Sequence, residues 1–190
     1  MMQPSPRPRF KISIFLSYPK PYTDQQERFV GQVVDYLGSR GLAARTLGVT
    51  DYDMDAPLKA IRRLMLESNG LITMAFRRTY IEKGQGHSRT GSAGLGTHSL
   101  DNQWLTTPWA HIEPAMAYQL GLPILLLREE GVLEEGIFQR GVAGIYMPQF
   151  DVSGPLDDYF ASPEWSDLIW KWENRVRSVV DKKGNPPELF

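Results

Sequence analysis

Two residues near the middle of the chain, Trp109 and Glu113, have the types and the spacing that a reactive site would use. They stand four residues apart, and a helix would place both side chains on one face. A carboxylate beside a flat aromatic ring can stabilise the positive charge that develops on a sugar as its base departs. Glu113 is therefore the candidate catalytic carboxylate, and Trp109 is a candidate wall that packs on the sugar or covers the carboxylate.

The elements that must position this pair follow from the apolar pattern of the sequence. Short apolar runs predict four strands and a short fifth, at residues 11–17, 42–47, 71–76, 123–127 and 144–147. Apolar residues at helical spacing predict helices that open at Thr23, Pro57 and Pro108. Thr23 with Gln26 also fits a capping box, in which each residue caps the other's backbone.

Strands that alternate with helices predict an α/β fold. We expect a single flavodoxin-like domain over residues 10–181, with three layers and a mostly parallel five-stranded sheet. An amphipathic helix over residues 163–181 would close it at the C-terminal side, with Trp165 and Trp172 on its apolar face.

Three segments fall outside this regular pattern. Residues 84–107 hold five glycines and few apolar side chains, which predicts a long glycine-rich loop inserted before the Glu113 helix. Residues 1–9 are predicted to form a disordered arm, and residues 182–190 a tail.

The predicted sheet brings further side chains toward Glu113, because ligands of parallel sheets bind beyond the carboxyl ends of the strands. Phe15, Ser17 and Tyr18 close the first strand and would line the floor of a site. Arg77 and Arg78 follow the third strand and could pair with a phosphate. Together with Trp109, these five residues are the candidate substrate-binding residues, although an arginine pair at a strand end is most often simply solvated.

Asp51 and Asp53 lie in the loop after the second predicted strand, at the same edge. Either carboxyl is a candidate second acid that would protonate a departing base. Their alternation also suggests a calcium loop, but Ala56 and Arg62 occupy the positions where that loop needs glycine and glutamate. The three histidines are too scattered to suggest zinc, so we expect neither a metal nor a cofactor.

Composition excludes several classes of protein. The 190 residues carry a net charge of −1, which gives no electrostatic footprint for nucleic acid or an anionic membrane. There is no cysteine, so disulfides, thiolate metal sites and a cysteine nucleophile are impossible. The first nine residues lack the apolar core of a secretory signal, and we expect a cytoplasmic protein.

The order of these motifs resembles a TIR domain. Residues 15–18, Phe-Leu-Ser-Tyr, end the first strand, and residues 68–72 pass from a helix into the third strand. Residues 109–113, Trp-Ala-His-Ile-Glu, are similar to the Trp-Cys-x-x-Glu helix start of that family, with Ala110 where cysteine is common. The resemblance covers roughly residues 10–150. Nucleoside 2-deoxyribosyltransferases share this skeleton and also carry a catalytic glutamate before the fourth strand.

The resemblance implies an enzyme that cleaves N-glycosidic bonds. It favours hydrolysis or cyclisation of NAD, as substrate rather than cofactor, in bacterial defence signalling, with Glu113 as the catalytic carboxylate. Such domains often self-associate to complete the site, or answer to a separate regulator protein. The alternatives are a nucleoside or nucleotide N-glycosidase or deoxyribosyltransferase, and a non-catalytic interaction domain.

Less specific explanations exist for both central residues. Glu113 could be an ordinary acid in the first turn of a helix, where the helix dipole favours negative charge. Trp109 could simply be a core residue. The structure must show whether Glu113 faces a cleft or is buried against a basic side chain, because the second arrangement would favour the non-catalytic alternative.

Overall fold

A computed structural model describes residues 11–89, 95–144 and 146–181 of the chain. The predicted arm at residues 1–9 and the predicted tail at residues 182–190 lie outside the described residues. Within the described part, no helix is long and apolar enough to cross a membrane.

The described part of the chain contains nine strands, five α-helices and a short 3-10 helix, Gly136–Phe138. In chain order the strands and α-helices are β1 (Ile12–Ser17), α1 (Asp24–Ser39), β2 (Leu42–Arg45), α2 (Pro57–Leu66), β3 (Leu71–Ala75), β4 (Thr79–Ile81), β5 (Gln85–Arg89), β6 (Leu95–Ser99), β7 (Gln103–Leu105), α3 (Trp109–Gln119), β8 (Ile124–Glu129), β9 (Gln149–Phe150), α4 (Leu156–Phe160) and α5 (Pro163–Asp181).

The main sheet has five strands in the order β2-β1-β3-β8-β9, and every neighbouring pair is parallel. This is the flavodoxin-like order, in which the chain reverses direction across the sheet beside β1. The predicted fold class is therefore confirmed. In the register between β1 and β3, Phe15 pairs with Leu71 and Ser17 with Thr73.

The sheet is buried between two helical layers because residues of a strand alternate between its faces. On one face, Ile14 and Leu16 of β1 pack with apolar side chains of α1 and α5. On the other face, Phe15 packs with residues of α2 and α3. Trp165 and Trp172 of α5 are buried, as the sequence predicts for its apolar face.

The ends of α1 show how local sequence fixes the loops around the sheet. Thr23 caps the helix by accepting a hydrogen bond from the Gln26 backbone N–H at 3.2 Å. The Gln26 side chain accepts from the Tyr22 N–H at 3.2 Å, one residue earlier than an ideal capping box would place it. Gly41, with φ of +75°, provides the left-handed turn that leads into β2.

The prediction of a long loop over residues 84–107 is wrong for most of that segment. β5 and β6 form an antiparallel hairpin there, and β7 pairs with β4 to form a second ladder. The hairpin lacks apolar alternation because it lies outside the core, so its strands are defined by backbone pairing. At one pair, the His98 ring occupies the space where a Gly86 side chain would lie. Residues 90–94 fall outside the described part.

The fifth strand of the sheet also lies further along the chain than predicted. It is β9, Gln149–Phe150, rather than residues 144–147. Its bounds are set by pairing with Arg128 and Glu129 at the end of β8. A strand of two residues has no periodicity of its own, so the apolar run before it, at residues 144–147, led to the wrong position for the strand.

Candidate active site

A cleft of about 340 Å³ opens at the carboxyl edge of the sheet, between the end of β1 and the beginning of α3. Pockets that hold small ligands usually have volumes of roughly 300–1,000 Å³, so this cleft is at the small end of the range. Its lining includes seven residues with polar or aromatic side chains: Ser17, Tyr18, Lys20, Arg78, Thr107, Trp109 and Glu113.

Glu113 and Ser17 meet in this cleft. The Ser17 hydroxyl donates a hydrogen bond to Oε2 of Glu113, and Ser17 itself is buried. Burial raises the pKa of Glu113 to about 7, because a charged carboxylate loses hydration there. The Ser17 hydrogen bond opposes that shift by stabilising the anion. The result is a carboxyl group that gains or loses its proton near neutral pH, as acid-base and nucleophilic sites require.

The position of Glu113 within α3 shows that it is not an ordinary acid in the first turn of a helix. The helix begins at Trp109, and its first turn contains no acidic residue. Glu113 is one turn further along, where the helix dipole gives little stabilisation to a carboxylate. The interpretation of Glu113 as an ordinary first-turn acid is therefore wrong. Its hydrogen-bond partner in the cleft is a serine hydroxyl rather than a basic side chain, so the arrangement expected of a non-catalytic carboxylate is not found.

Trp109 stands at the mouth of the cleft. It lies one helical turn before Glu113 on α3, and 41% of its surface is exposed. That exposure is too large for a core residue, so the interpretation of Trp109 as core is wrong. An indole ring placed beside a carboxylate offers a flat apolar surface for a sugar or a base, and it limits the access of water.

The three residues predicted to form the floor of the site do not all line the cleft. Ser17 and Tyr18 line the cleft. Burial raises the pKa of Tyr18, so it stays protonated at neutral pH. Phe15 does not line the cleft: it is buried between the sheet and α2, where it fills the core beneath the floor. Thr73, beside Ser17 in the register, has a buried hydroxyl with no hydrogen-bond partner among the described residues.

The two predicted phosphate-binding arginines are separated by the structure. Arg78 lines the cleft, and its Nη1 donates to the Lys20 carbonyl oxygen at 3.1 Å. Arg77 points away from the cleft lining, where its Nε donates to the Glu130 carbonyl oxygen at 2.5 Å. Arg77 also lies 3.7 Å from the Glu129 carboxylate. Arg78 is therefore available to a ligand, whereas Arg77 is held by neighbouring groups.

Asp51 and Asp53 form ion pairs with arginines outside the cleft. Asp51 pairs with Arg45, and Asp53 pairs with Arg63 at 2.8 Å. The hydrogen bond from Arg45 lowers the pKa of Asp51, and the Asp55 backbone N–H, followed by Arg63, lowers that of Asp53. Both carboxyls are therefore anions without a proton to donate, and neither lines the cleft. The sequence-based prediction that one of them is a second acid is not supported.

Several cleft residues did not emerge from the sequence. Leu47, Pro57 and Ile61 form an apolar wall opposite α3, and their patterns indicated only a strand end and a helix. Lys20 is a second cation on the cleft, exposed between Pro19 and Pro21. A lysine between two prolines, directly after a strand, was a sequence signal that could have indicated a residue at the rim of the cleft.

The chemical character of the cleft is one carboxyl group, one aromatic wall and two cations. Among the described residues of its lining, Glu113 is the sole acid. Lys20 and Arg78 are both exposed, and neither forms an ion pair with another described residue. No group of three or more metal-ligating side chains occurs within residues 11–89, 95–144 and 146–181. The cleft can therefore hold an anion at its rim and stabilise a cation at Glu113.

Comparison with known proteins gives several matches to solved structures, and the two described here are remote likenesses. No protein-family model and no curated protein sequence matches the chain. The structure of the Clostridium botulinum CMP N-glycosidase BcmB is similar with a TM-score of 0.43 and 15% identity, covering 73% of this chain and 87% of that one. TIR domains of the activated Roq1 resistosome, which directly recognises the pathogen effector XopQ, give 0.41 and 12%, covering 90% and 84%. Likenesses this remote assign no function to the chain.

Proposed function

We propose that this protein cleaves the bond between nicotinamide and ribose in NAD, with Glu113 as the catalytic carboxylate. The observation that carries the proposal is the pairing of Glu113 with Ser17 inside a cleft that has no second acid in its described lining. A carboxylate in that position can stabilise a ribosyl cation or trap it as a covalent ester.

The absence of a second acid from that lining favours a leaving group that needs no proton. In NAD the nicotinamide ring is already cationic, so the C–N bond breaks with its electron pair moving to the ring nitrogen. Nicotinamide departs neutral, the ribosyl cation remains beside Glu113, and attack by water completes hydrolysis with release of a proton. A neutral purine or pyrimidine would instead need protonation as it leaves.

The raised pKa of Glu113 is consistent with such a substrate. A cationic ring within a few ångströms of a carboxyl group favours its charged form and lowers its pKa. Binding of NAD would therefore ionise Glu113 at the moment when its negative charge is needed. Trp109 would cover the ribose and keep bulk water away from this charge pair.

The rim of the cleft suits the remainder of NAD. Lys20 and Arg78 lie on the cleft without carboxylate partners among the described residues, and guanidinium and ammonium groups both bind phosphate oxygens well. We assign the nicotinamide riboside half to the cleft and the pyrophosphate to these two side chains. The small cleft volume implies that the adenosine half lies beyond the lining.

A nucleoside or nucleotide N-glycosidase is the second candidate. A Glu113 pKa of about 7 leaves a substantial protonated fraction at neutral pH, and that proton could pass to a departing base. The two candidates differ in their dependence on pH. NAD cleavage requires the ionised carboxyl, so its kcat/KM, which reports the pKa of the free enzyme, should rise as the pH passes 7, whereas kcat/KM for proton donation to a base should fall.

The test is a chromatographic time course with concentrated protein, NAD and a set of nucleosides and nucleotides. Glu113→Gln is the inactive comparison, and Glu82→Gln makes the same change at an exposed position outside the cleft lining. We expect nicotinamide to be released by the wild type and by Glu82→Gln, and not by Glu113→Gln. Release of other free bases would establish the second candidate. A folded Glu113→Gln protein with wild-type turnover would exclude both.

A further inference from the structure

A second buried carboxylate, Glu129, stands at the end of β8 and outside the cleft lining. It is 3% exposed. Its Oε2 accepts hydrogen bonds from Gln26 Nε2 at 2.9 Å and from the Arg77 backbone N–H at 2.8 Å. Burying a charged group is costly unless partners compensate for its lost hydration. Gln26 lies in the first turn of α1 and Arg77 in the loop that follows β3, which suggests that Glu129 joins the segments around them.

The first of these segments is the loop that connects β1 to the start of α1. Gln26, held by Glu129 through its amide nitrogen, uses its amide oxygen to accept from the Tyr22 N–H at 3.2 Å. The loop that ends at Tyr22 carries Lys20. One glutamine side chain therefore links the buried carboxylate to the segment that presents a rim cation.

The second loop leaves β3 toward β4 and carries the other rim cation. Glu129 holds the backbone of Arg77, and its Oε1 lies 3.7 Å from the Arg77 side chain. The next residue, Arg78, returns to the first loop: it donates to the Lys20 carbonyl oxygen, and its guanidinium carbon lies 5.8 Å from the centre of the Tyr22 ring. The two loops are thus joined at two levels, at the rim by Arg78 and beneath it by Glu129.

We propose that Glu129 is a positioning residue that sets the separation of Lys20 and Arg78, and with it the binding of phosphate at the rim. The inference depends on the proposed function for the identity of that phosphate. Both cations have exposed side chains, so their placement depends on the backbones that carry them. Glu129 holds the Arg77 backbone directly and the Tyr22 backbone through the Gln26 side chain. These hydrogen bonds are buried or partly buried, so water competes with them less than with exposed ones.

The test removes the hydrogen bond between Gln26 and Glu129. Gln26→Glu sets a second carboxylate against Glu129 and removes the donor between them. Gln32→Glu is the matched control: it makes the same change on the same helix, against Asp157, which its amide contacts at 2.8 Å. Glu129→Gln alone is the second variant, should Gln26→Glu fail to fold.

Two measurements are made on each variant. Michaelis constants are compared for nicotinamide mononucleotide, which has a phosphate, and nicotinamide riboside, which has none. For Gln26→Glu we expect the constant for the mononucleotide to rise roughly tenfold, the effect of about one lost charged hydrogen bond, and that for the riboside to change little. Amide hydrogen exchange should become faster at residues 18–22 and 76–78.

The outcomes separate this inference from the proposed function. Equal rises for both compounds, or unchanged exchange in Gln26→Glu, would overturn the positioning role. If Gln32→Glu speeds exchange in the same two segments, the effect is general to the helix and the inference fails. If the wild type cleaves neither these compounds nor NAD, the proposed function fails. If it cleaves neither compound, with or without activity on NAD, the exchange data alone decide whether Glu129 holds the two loops.

Discussion

The Ser17 hydroxyl donates a hydrogen bond to the Glu113 carboxylate across 96 positions of sequence, joining the end of β1 to the second turn of α3. This contact opposes the effect of burial on Glu113, because it stabilises the charged form. The balance between the two keeps the pKa of Glu113 close to neutral. Four predictions follow from that balance and from the cleft around it.

Replacement of Ser17 should alter the pH dependence of activity. Ser17→Ala removes the hydrogen bond that favours the anion, so the pKa of Glu113 should rise above 7. A hydrogen bond to a charged group contributes about 1.5 kcal/mol or more, which corresponds to roughly one pH unit. We expect the rising limb of the rate profile to move upward by about that amount. Ser17→Thr keeps a hydroxyl and should stay near the wild-type midpoint, and a profile of Ser17→Ala that coincides with it would contradict the role assigned to Ser17.

Replacement of Glu113 should stabilise the fold while removing activity. The folded-state pKa of about 7 lies above the ordinary value of 4.5, so the folded protein holds this proton more tightly than the unfolded chain does. Stability is therefore lost as the pH rises from 4.5 through 7. Glu113→Gln escapes that loss, and it should gain about 2–3 kcal/mol at pH 8 and almost nothing near pH 4.

Denaturant unfolding at the two pH values measures this difference. The Ser17 hydroxyl can still donate to the new amide oxygen, so the comparison isolates the charge. Equal stabilities at pH 8 would mean that Glu113 is better hydrated than its position indicates.

The rim should control substrate affinity rather than turnover. Arg78→Ala removes a guanidinium with no carboxylate partner among the described residues, and we expect the KM for NAD to rise roughly tenfold with kcat nearly unchanged. Arg62→Ala, an exposed arginine on α2 outside the cleft lining, serves as control. A fall in kcat with constant KM would place Arg78 at the reacting atoms instead.

The loop aspartates should be dispensable for catalysis. Asp51→Asn and Asp53→Asn each remove a carboxylate that is paired with an arginine outside the cleft lining. We expect kcat within about twofold of the wild type, since neither residue contacts the cleft. Because their pKa values are lowered in the fold, their contribution to stability is present at neutral pH and lost as the pH falls through the acid range. A large loss of kcat in a fully folded variant would mean that the replaced aspartate does act as the second acid.

The sequence predicted the parts of the site that depend on the central sheet. Ser17 and Glu113 were both expected at the carboxyl edge, because parallel strands with crossover helices leave few other arrangements. Continuous apolar runs marked β3 and β8, since strands buried on both faces need them. These features are encoded locally, in the types and spacing of neighbouring residues.

The remaining features depend on partners distant in the chain. Nothing near Asp53 indicated that Arg63, ten residues later, would pair with it. Arg77 and Arg78 are adjacent and chemically identical. They differ in their tertiary contacts, because Arg77 is bonded to Glu129 and Arg78 to the Lys20 carbonyl oxygen. The hairpin of β5 and β6 carries no apolar period because it does not face the core. Such distinctions arise from tertiary contacts, which a local pattern does not contain.

The ladder between β4 and β7 has a consequence for how this fold can diversify. Thr79 pairs with Leu105 and Ile81 with Gln103, so the chain leaves the β3 end and returns to it at nearly the same point. The hairpin of β5 and β6 can therefore be shortened, exchanged or replaced by a tight turn while β4 and β7 stay paired. Glu113 belongs to α3, which follows β7 in the chain. The hairpin could therefore vary in evolution to suit new substrates while the residues around Glu113 stay the same.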